Sequence, residues 1–537
     1  MKSKFKNIMI ILILISFSLG QTGNDEYNLR KQAEIYYQQK KYDDALEIYL
    51  NIFNQNPTSY EYLRKLKNIL TQKKEYSQLI NCYNKFISST TNKKLIFEAE
   101  TDLIEFKIWN QESDWINDLY LMEQKYENEK NNIYKFEFIL LKVSKNKKIN
   151  EVYDFILHIR MKYKKPAFFS KKLISIFADQ ADYKRSINES ILFITESEKT
   201  NKISAITKNL IVDQIFEYLN KILINNQIHK NYLPITNKQL NSNLFLTINQ
   251  NIAYEHTEIE YIIGIYNKLI QLNIRKDDSK LNLSDIYVNV FTDLDSAYLI
   301  LDKLDNSTNI NTYQSVITKK CNILLSKGYI DSALKVINEG NQKIEKFTNN
   351  QKKEAIKIKE LEIALYKGDY TIFNQQLDSL IAQVKVNSNT YNDLLELKMI
   401  SLYFANDSEK FTKYANILYK IKLNKSFESI LELVELINDE NILISELAHY
   451  QYALIELQKG NTLNTQKLIK QMKMKTIYSE ISLIIDAEIE DKINKNYKNA
   501  IIFYESILEK YPNTIYKENI LKRLNELNKL IIEKYDL

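Results

Sequence analysis

Glycine and proline are scarce in this chain, which has seven glycines and four prolines among 537 residues. These two residues form many of the tight turns between strands, so their scarcity argues against a protein built from β-hairpins. With 45% hydrophobic and 26% charged residues, the composition favours a folded chain of consecutive helices. A chain of this length is too long for one compact core, unless each part packs only against its neighbours.

Cysteine and histidine are equally rare. The two cysteines, Cys82 and Cys321, lie far apart in the sequence and are interpreted as buried free thiols. The four histidines are scattered, and the sequence has no HExxH, clustered Cys/His, GxSxG or phosphate-loop motif. We therefore expect no catalytic residues, no bound metal and no cofactor, and we predict that the protein is not an enzyme.

Strong net charge and long apolar runs are also missing. The formal charge is +6, and loss of the three N-terminal lysines would leave the chain close to neutral, whereas a nucleic-acid-binding protein is expected to be strongly basic. After the N-terminus, no apolar run is long enough to span a membrane. We predict no nucleic-acid partner and no membrane-spanning segment once a signal peptide is removed.

Residues 1–20 have the pattern of such a signal peptide. Lys2, Lys4 and Lys6 precede an apolar run, and Ser18 and Gly20 are small residues at the two positions that a signal peptidase reads. The apolar run is shorter than the roughly twenty residues of a membrane-spanning helix. We expect export to the periplasm, the cell surface or the medium, with an uncleaved anchor as the alternative.

Residues 26–59 contain two short amphipathic segments joined by a polar turn. Ala33 lies on the apolar face of the first segment, and Tyr42, Ala45 and Tyr49 recur on that of the second. Pro57 follows, where a helix cannot continue. Small residues such as the alanines let two helices approach closely, so this stretch predicts a helical hairpin.

The same spacing returns along the chain, most clearly near the C-terminus. Before three of the turns a lysine is followed by a glycine, which can take the left-handed backbone that ends a helix. The further positions predicted to occupy this repeat are Tyr76, Gly328, Ala333, Gly368, Gly460, Tyr497, Ala500, Tyr504 and Pro512.

This pattern resembles the tetratricopeptide repeat, whose consensus has a small residue in the first helix, an aromatic residue and an alanine opening the second, and a closing proline. The C-terminal copy is similar to repeats of exported bacterial envelope proteins. The resemblance implies an all-α fold, a right-handed α-α superhelix of helical hairpins, built either as one continuous stack or in two halves. The predicted segments are a signal peptide at 1–20, repeats at 21–92, degenerate helical hairpins at 93–230, a loop or joint at 231–258, repeat-like helices at 259–475, and a C-terminal repeat with a capping helix at 476–537.

In related repeats, a concave groove is lined by first-helix residues that face away from the packing stripe. The resemblance assigns to this groove Tyr27, Arg30, Glu34, Tyr37, Glu61, Arg64 and Asn68. Two arginines one repeat apart could hold a carboxylate or an acidic peptide, and ordinary solvated arginines are the alternative. Chaperone-binding relatives use a Lys/Asn clamp, but Glu34 and Lys65 stand at two of its asparagine places, so that activity is not carried over.

These observations predict an exported scaffold or adaptor whose partners are other envelope proteins or peptides. One alternative is capture of glycans or peptides at the outer membrane, although such relatives usually carry a lipidated cysteine that is missing here. A second is a helical-toroid hydrolase using Glu112 and Asp114 near Trp109 and Trp115. Carboxylates two positions apart diverge on a helix, and the tryptophans are interpreted as packing residues.

Overall fold

The computed structural model describes residues 26–201, 203–225, 227–228, 253–254, 256–305, 309–345, 354–386, 388–473, 476–514 and 516–535. The predicted signal peptide at 1–20 and most of the predicted joint at 231–258 lie outside these residues. None of the described helices combines the length and the apolarity that crossing a bilayer requires.

The chain is a succession of helices. The first eleven are α1 (26–38), α2 (Tyr42–Gln55), α3 (Tyr60–Lys73), α4 (Tyr76–Ser89), α5 (Lys93–Trp109), α6 (Trp115–Tyr126), α7 (Asn132–Lys145), α8 (Tyr153–Lys162), α9 (Ser170–Asp179), α10 (Tyr183–Lys199) and α11 (Ala205–Asn225). Two short strands follow, β1 (Gln227–Ile228) and β2 (Ala253–Tyr254), and they pair antiparallel.

The remaining helices complete the chain. They are α12 (His256–Gln271), α13 (Lys276–Asn289), α14 (Leu294–Asp302), α15 (Ile310–Ser326), α16 (Ile330–Glu345), α17 (Glu354–Lys367), α18 (Tyr370–Ile381), α19 (Asn389–Tyr403), α20 (Ser408–Lys422), α21 (Ser426–Ile437), α22 (Ile442–Gln458), α23 (Thr462–Gln471), α24 (Tyr478–Glu488), a π-helical turn (Ile489–Ile493), α25 (Tyr497–Lys510) and α26 (Lys517–Tyr535).

Most consecutive helices pack against each other, and several helices also contact the next but one, as α5 does with α7 and α15 with α17. Over the described residues, β1 and β2 are the only strands. The prediction of an all-α solenoid of helical hairpins is therefore confirmed. Each helix needs its neighbours on both sides to cover its apolar face, as expected for repeats.

The predicted repeat positions form the interior of the hairpins. Six of them are fully or almost fully buried: Ala33, Ala45, Tyr49, Ala333, Ala500 and Tyr504. The tyrosines that open second helices, Tyr42, Tyr76 and Tyr497, are half-buried. Pro57 and Pro512 lie just beyond the ends of α2 and α25. Cys82 and Cys321 are buried free thiols, as predicted.

Polar side chains define where many helices begin and end. Asn92 caps α5 by accepting hydrogen bonds from the backbone N–H groups of Lys94 and Leu95. At helix ends, Gly328 and Gly368 take left-handed φ angles of 87° and 73°. Gly460 has a φ of 77°, so all three predicted turn glycines are confirmed.

The chain divides into two compact units, and the boundary falls between Tyr218 and Leu219, inside α11. Among the described residues of the first unit, one packed cluster of buried side chains extends from Ala33 to Phe106 and another from Ile104 to Phe177. In the second unit, the largest cluster extends from Tyr313 to Ile489. The borders predicted at 92, 230, 258 and 475 remain predictions.

Candidate functional site

The seven residues assigned to the groove lie on α1 and α3, the first helices of the first two hairpins. We call this surface the first-helix face and define it by Tyr27, Arg30, Glu34, Tyr37, Glu61, Arg64 and Asn68. Because α1 and α3 each lead a hairpin in the same stack, side chains on one reach those on the other. The face is therefore built by residues about one repeat apart.

Arg30 and Glu61 bond directly across this face, from the guanidinium to the carboxylate. Their side chains are 51% and 54% exposed. An ion pair this open to solvent contributes only about 0–1 kcal/mol to stability. Arg30 thus already holds a carboxylate of its own chain, and that internal carboxylate can be displaced at little cost.

Glu34 is held more firmly. Its carboxylate accepts hydrogen bonds from Lys65 Nζ at 2.6 Å and from the Tyr49 hydroxyl at 2.9 Å. These two hydrogen bonds, the Lys65 one first, keep the pKa of Glu34 below its usual value. The Lys65 ammonium also lies 5.2 Å from the centre of the Tyr37 ring. Glu34 and Lys65, which stand where the clamp of chaperone-binding repeats has asparagines, therefore form an ion pair with each other.

Three members of the face stay open to solvent. Tyr27 is 63% exposed, and Arg64 and Asn68 are exposed one turn apart on α3. Within the described part of the chain, Arg64 forms no ion pair. These side chains offer a phenol, a guanidinium and an amide to an incoming partner.

The cross-helix contacts continue beyond the residues that the sequence indicated. Asp102 on α5 accepts hydrogen bonds from Lys67 on α3 at 2.6 Å, from Tyr83 on α4 at 3.1 Å, and from Lys142 on α7. Its side chain is only 8% exposed. Burial by itself would raise the pKa of Asp102, but the bonds and charges of Lys142 and Lys67 outweigh burial and lower it.

Sequence reasoning missed Asp102 because the hairpins between 93 and 230 lack the full repeat pattern. One signal was available: Asp102 lies at helical spacing between Ala99 and Phe106, on the apolar face of α5, and a charge at such a place usually needs a partner. On α7, the side chains of Tyr134 and Phe138 are exposed. The centre of the Phe138 ring lies 6.3 Å from the centre of the Phe97 ring on α5. The surface thus changes from charged on α1 and α3 to aromatic on α5 and α7.

Glu112 and Asp114, the two carboxylates of the hydrolase alternative, bond to different side chains. Asp114 bonds to Lys107 Nζ at 2.8 Å, whereas Glu112 accepts a hydrogen bond from Asn110 at 2.7 Å. Trp115 is 3% exposed, whereas Trp109 is half-buried and packs one side of its ring on Tyr76. In the part of the chain that the structure describes, no three His, Cys, Asp or Glu side chains are grouped to hold a metal.

Residues 27–59 match the family model described as "Tetratricopeptide repeat". Similar solved structures include the TPR domain of P58(IPK), at 9% identity, 95% of this chain, 99% of that chain and a TM-score of 0.19. They also include yeast Tom70, at 12% identity over 95% of this chain and 96% of that chain, with a TM-score of 0.22. A third is the APC/C hetero-tetramer Cut9-Hcn1, at 12% identity over 93% of this chain and 96% of that chain, with a TM-score of 0.26. No curated protein matches the chain. Alignments with TM-scores this low carry no argument about what the chain binds.

Proposed function

We propose that this chain, which carries a tetratricopeptide repeat at residues 27–59, is an exported, non-enzymatic scaffold for other proteins or peptides of the cell envelope. The observation that carries the proposal is the first-helix face of that repeat and the next, where charged side chains meet across stacked helices and remain open to solvent. Export is supported by the signal-peptide pattern of residues 1–20.

Binding on this face needs no chemical step. A partner segment that carries a carboxylate can pair with the exposed guanidinium of Arg64, and a second carboxylate can replace Glu61 on Arg30. Replacement is possible because the half-exposed Arg30–Glu61 pair contributes only about 0–1 kcal/mol. Tyr27 and Asn68 add an aromatic surface and an amide for hydrogen bonds. We therefore expect acidic segments among the partners.

A pull-down from envelope extract tests this proposal. Purified protein is used as bait, and the recovered proteins are identified by mass spectrometry after crosslinking. The test variant is Arg64→Glu, which reverses an exposed charge on the face. The control is Lys171→Glu, which reverses an exposed charge on α9 in the same unit.

We expect the wild-type protein and the Lys171→Glu control to recover the same partner, and Arg64→Glu to lose most of it. Crosslinks should fall on α1 and α3. If the wild-type bait recovers no protein partner, the scaffold function is wrong. If Arg64→Glu recovers as much partner as the control, the scaffold does not use this face.

A further inference from the structure

A cleft of about 690 Å³ opens beside α6, between two loops of the first unit. The loop that joins α5 to α6 contributes Gln111, Glu112 and Ser113, and the region between α7 and α8 contributes Asn146, Lys148 and Glu151. Small-molecule sites typically measure about 300–1,000 Å³, so the cleft is large enough for a ligand of that class. It does not include the first-helix face.

Apolar side chains line the remaining wall of the cleft. They are Trp109 and Ile116, which are half-buried, and Ile108 and Trp115, which are buried. The indole N–H of Trp109 donates to Asn146 Oδ1 at 2.7 Å, which fixes the ring and links the two loops. Because Tyr76 and Phe106 also pack on Trp109, this wall is rigid. A rigid aromatic wall suits a flat, partly apolar ligand.

Some polar groups of the cleft are already satisfied. Asn146 accepts from Trp109 and donates to the Lys142 carbonyl at 3.1 Å. Lys148 and Glu151 form an ion pair at 2.5 Å. These groups shape the cleft and contribute little new hydrogen bonding to a ligand.

Other polar groups of the cleft retain hydrogen-bonding capacity. Glu112 accepts one bond, from Asn110 to Oε1, and no donor among the described residues bonds its second oxygen. The amide of Gln111 and the hydroxyl of Ser113 are exposed. The cleft therefore offers a carboxylate acceptor, an amide with both donors and an acceptor, and a hydroxyl.

The charges in the cleft select against anions. Glu112 and Glu151 would repel an anion, and the single lysine is already paired with Glu151. The positive end of the α6 helix dipole, at Trp115 and Ile116, partly offsets the attraction of Glu112 for a cation. A neutral hydroxyl can donate to Glu112 and accept from Gln111 or Ser113, so it satisfies both kinds of group.

We propose that this cleft binds a neutral sugar ring. The C–H groups of the ring would lie against the apolar wall, and its hydroxyls would bond Glu112, Gln111 and Ser113. This function goes beyond the scaffold, since it uses different residues and a different class of ligand. A protein with both sites would hold an envelope protein and a glycan at separate places on its first unit.

The composition of the chain provides a direct readout. Trp109 and Trp115 are the two tryptophans of the whole protein, and both line the cleft. Tryptophan fluorescence, excited at wavelengths where tyrosine does not absorb, therefore reports only on this place. The protein is titrated with glucose, galactose, mannose and N-acetylglucosamine, and separately with glucosamine as a cationic probe.

We expect a saturable change in tryptophan emission with at least one neutral sugar, half-complete in the millimolar range or below. Glu112→Gln should raise the half-saturation concentration about fivefold, because the hydrogen bond from the sugar hydroxyl then goes to a neutral acceptor instead of a charged one. The matched control is Glu47→Gln, an exposed acid on α2, which should titrate like the wild type. If Glu112→Gln does not keep its helical circular dichroism, Ser113→Ala replaces it, with a several-fold increase expected.

Two results would overturn the sugar site. One is the absence of any saturable response of the wild-type protein to the neutral sugars up to about 100 mM. The other is a response to glucosamine alone, which would make the cleft a cation site. The Glu112→Gln variant is also used as bait in the pull-down, where partner recovery should be unchanged. Failure of the scaffold and failure of the sugar site are thus distinguishable.

Discussion

Left-handed backbone positions show how single residues end the helices of this chain. Gly328, Gly368 and Gly460 take such a conformation without steric cost. In the first two hairpins the same conformation is held by lysines, Lys40 with a φ of 58° and Lys74 with a φ of 59°. A side chain there costs about 1–2 kcal/mol. The turn glycines could be predicted from the sequence, but a lysine does not signal a left-handed backbone, so only the structure shows that Lys40 and Lys74 adopt it.

Two glycines inside helices have opposite environments, and this gives a paired prediction. A Cβ atom at Gly340 in α16 would lie 2.8 Å from Cγ2 of Ile317 on α15, whereas nothing lies within 4 Å of the same atom at Gly264 in α12. We expect Gly264→Ala to raise the free energy of unfolding by about 1 kcal/mol, from helix propensity alone. We expect Gly340→Ala to lower it by about 1 kcal/mol, because overpacking outweighs that gain.

Thermal and denaturant unfolding of the two variants, each compared with the wild type, measure these changes. Circular dichroism is the readout. If both substitutions shift stability in the same direction, the close approach of α15 and α16 at Gly340 does not control the outcome.

Asp393 in α19 makes stability depend on pH. Burial, and secondly the charge of Glu396, raise its pKa to about 7. An acid with a raised pKa in the folded state binds its proton more tightly there, so stability falls as pH rises from the unfolded-state pKa towards about 7. We expect Asp393→Asn to stabilise the protein at about pH 8 and to have much less effect at about pH 4.

Urea unfolding at the two pH values measures this difference. The matched control is Glu409→Gln, an exposed acid on α20, which should change stability little at either pH. An equal effect of Asp393→Asn at both values would show that the folded protein does not keep this carboxyl protonated.

At the scale of helices, side chains link alternate members of the stack. The linked residues are 31 positions apart for Arg30 and Glu61, 35 for Lys67 and Asp102, and 40 for Asp102 and Lys142. These separations are close to one hairpin. They show that α1, α3, α5 and α7 lie side by side, which follows from the stacking of repeats.

The burial of each cross-helix ion pair decides how much the pair contributes to the free energy of unfolding. We expect Asp102→Asn to lower the free energy of unfolding by about 1–3 kcal/mol at neutral pH, because it leaves two half-buried lysines without their carboxylate. We expect Glu61→Gln, at an exposed link, to change it by less than about 0.5 kcal/mol.

Denaturant unfolding as a function of pH measures both changes. Since the pKa of Asp102 is lowered in the folded state, its contribution is complete above the unfolded-state pKa and is lost as pH falls through the folded one. The deficit of Asp102→Asn should therefore shrink in acid. If Glu61→Gln lowers the free energy of unfolding as much as Asp102→Asn does, burial does not decide the contribution of these ion pairs.

At the scale of the whole molecule, the interior is divided rather than continuous. The buried side chains of the described residues form separate clusters, among them two within the first unit and three in the second, which extend from Ala297 to Ile323, from Tyr313 to Ile489 and from Ile484 to Leu527. Because each hairpin contacts mainly its neighbours, a local defect should stay local. The two compact units have their own internal packing.

Native-state hydrogen exchange tests this independence. Gly340→Ala should speed amide exchange in α15, α16 and the helices next to them, and leave exchange in α3 to α7 unchanged. Asp102→Asn should give the reverse pattern. If either variant lowers protection in both units equally, the molecule unfolds as one cooperative body.

Local patterns in the sequence were enough to predict a stack of helical hairpins and the small and aromatic residues inside it. Periodicity and turn residues act over a few positions, so Ala33, Ala45 and Tyr504 could be placed in the interior from their spacing. The packing of the helices was needed to show that Arg30 pairs with Glu61, that Asp102 bonds to three other helices, and that two loops enclose a cleft. Those features depend on residues about a hairpin apart in sequence, and the stacking of helices alone brings them together.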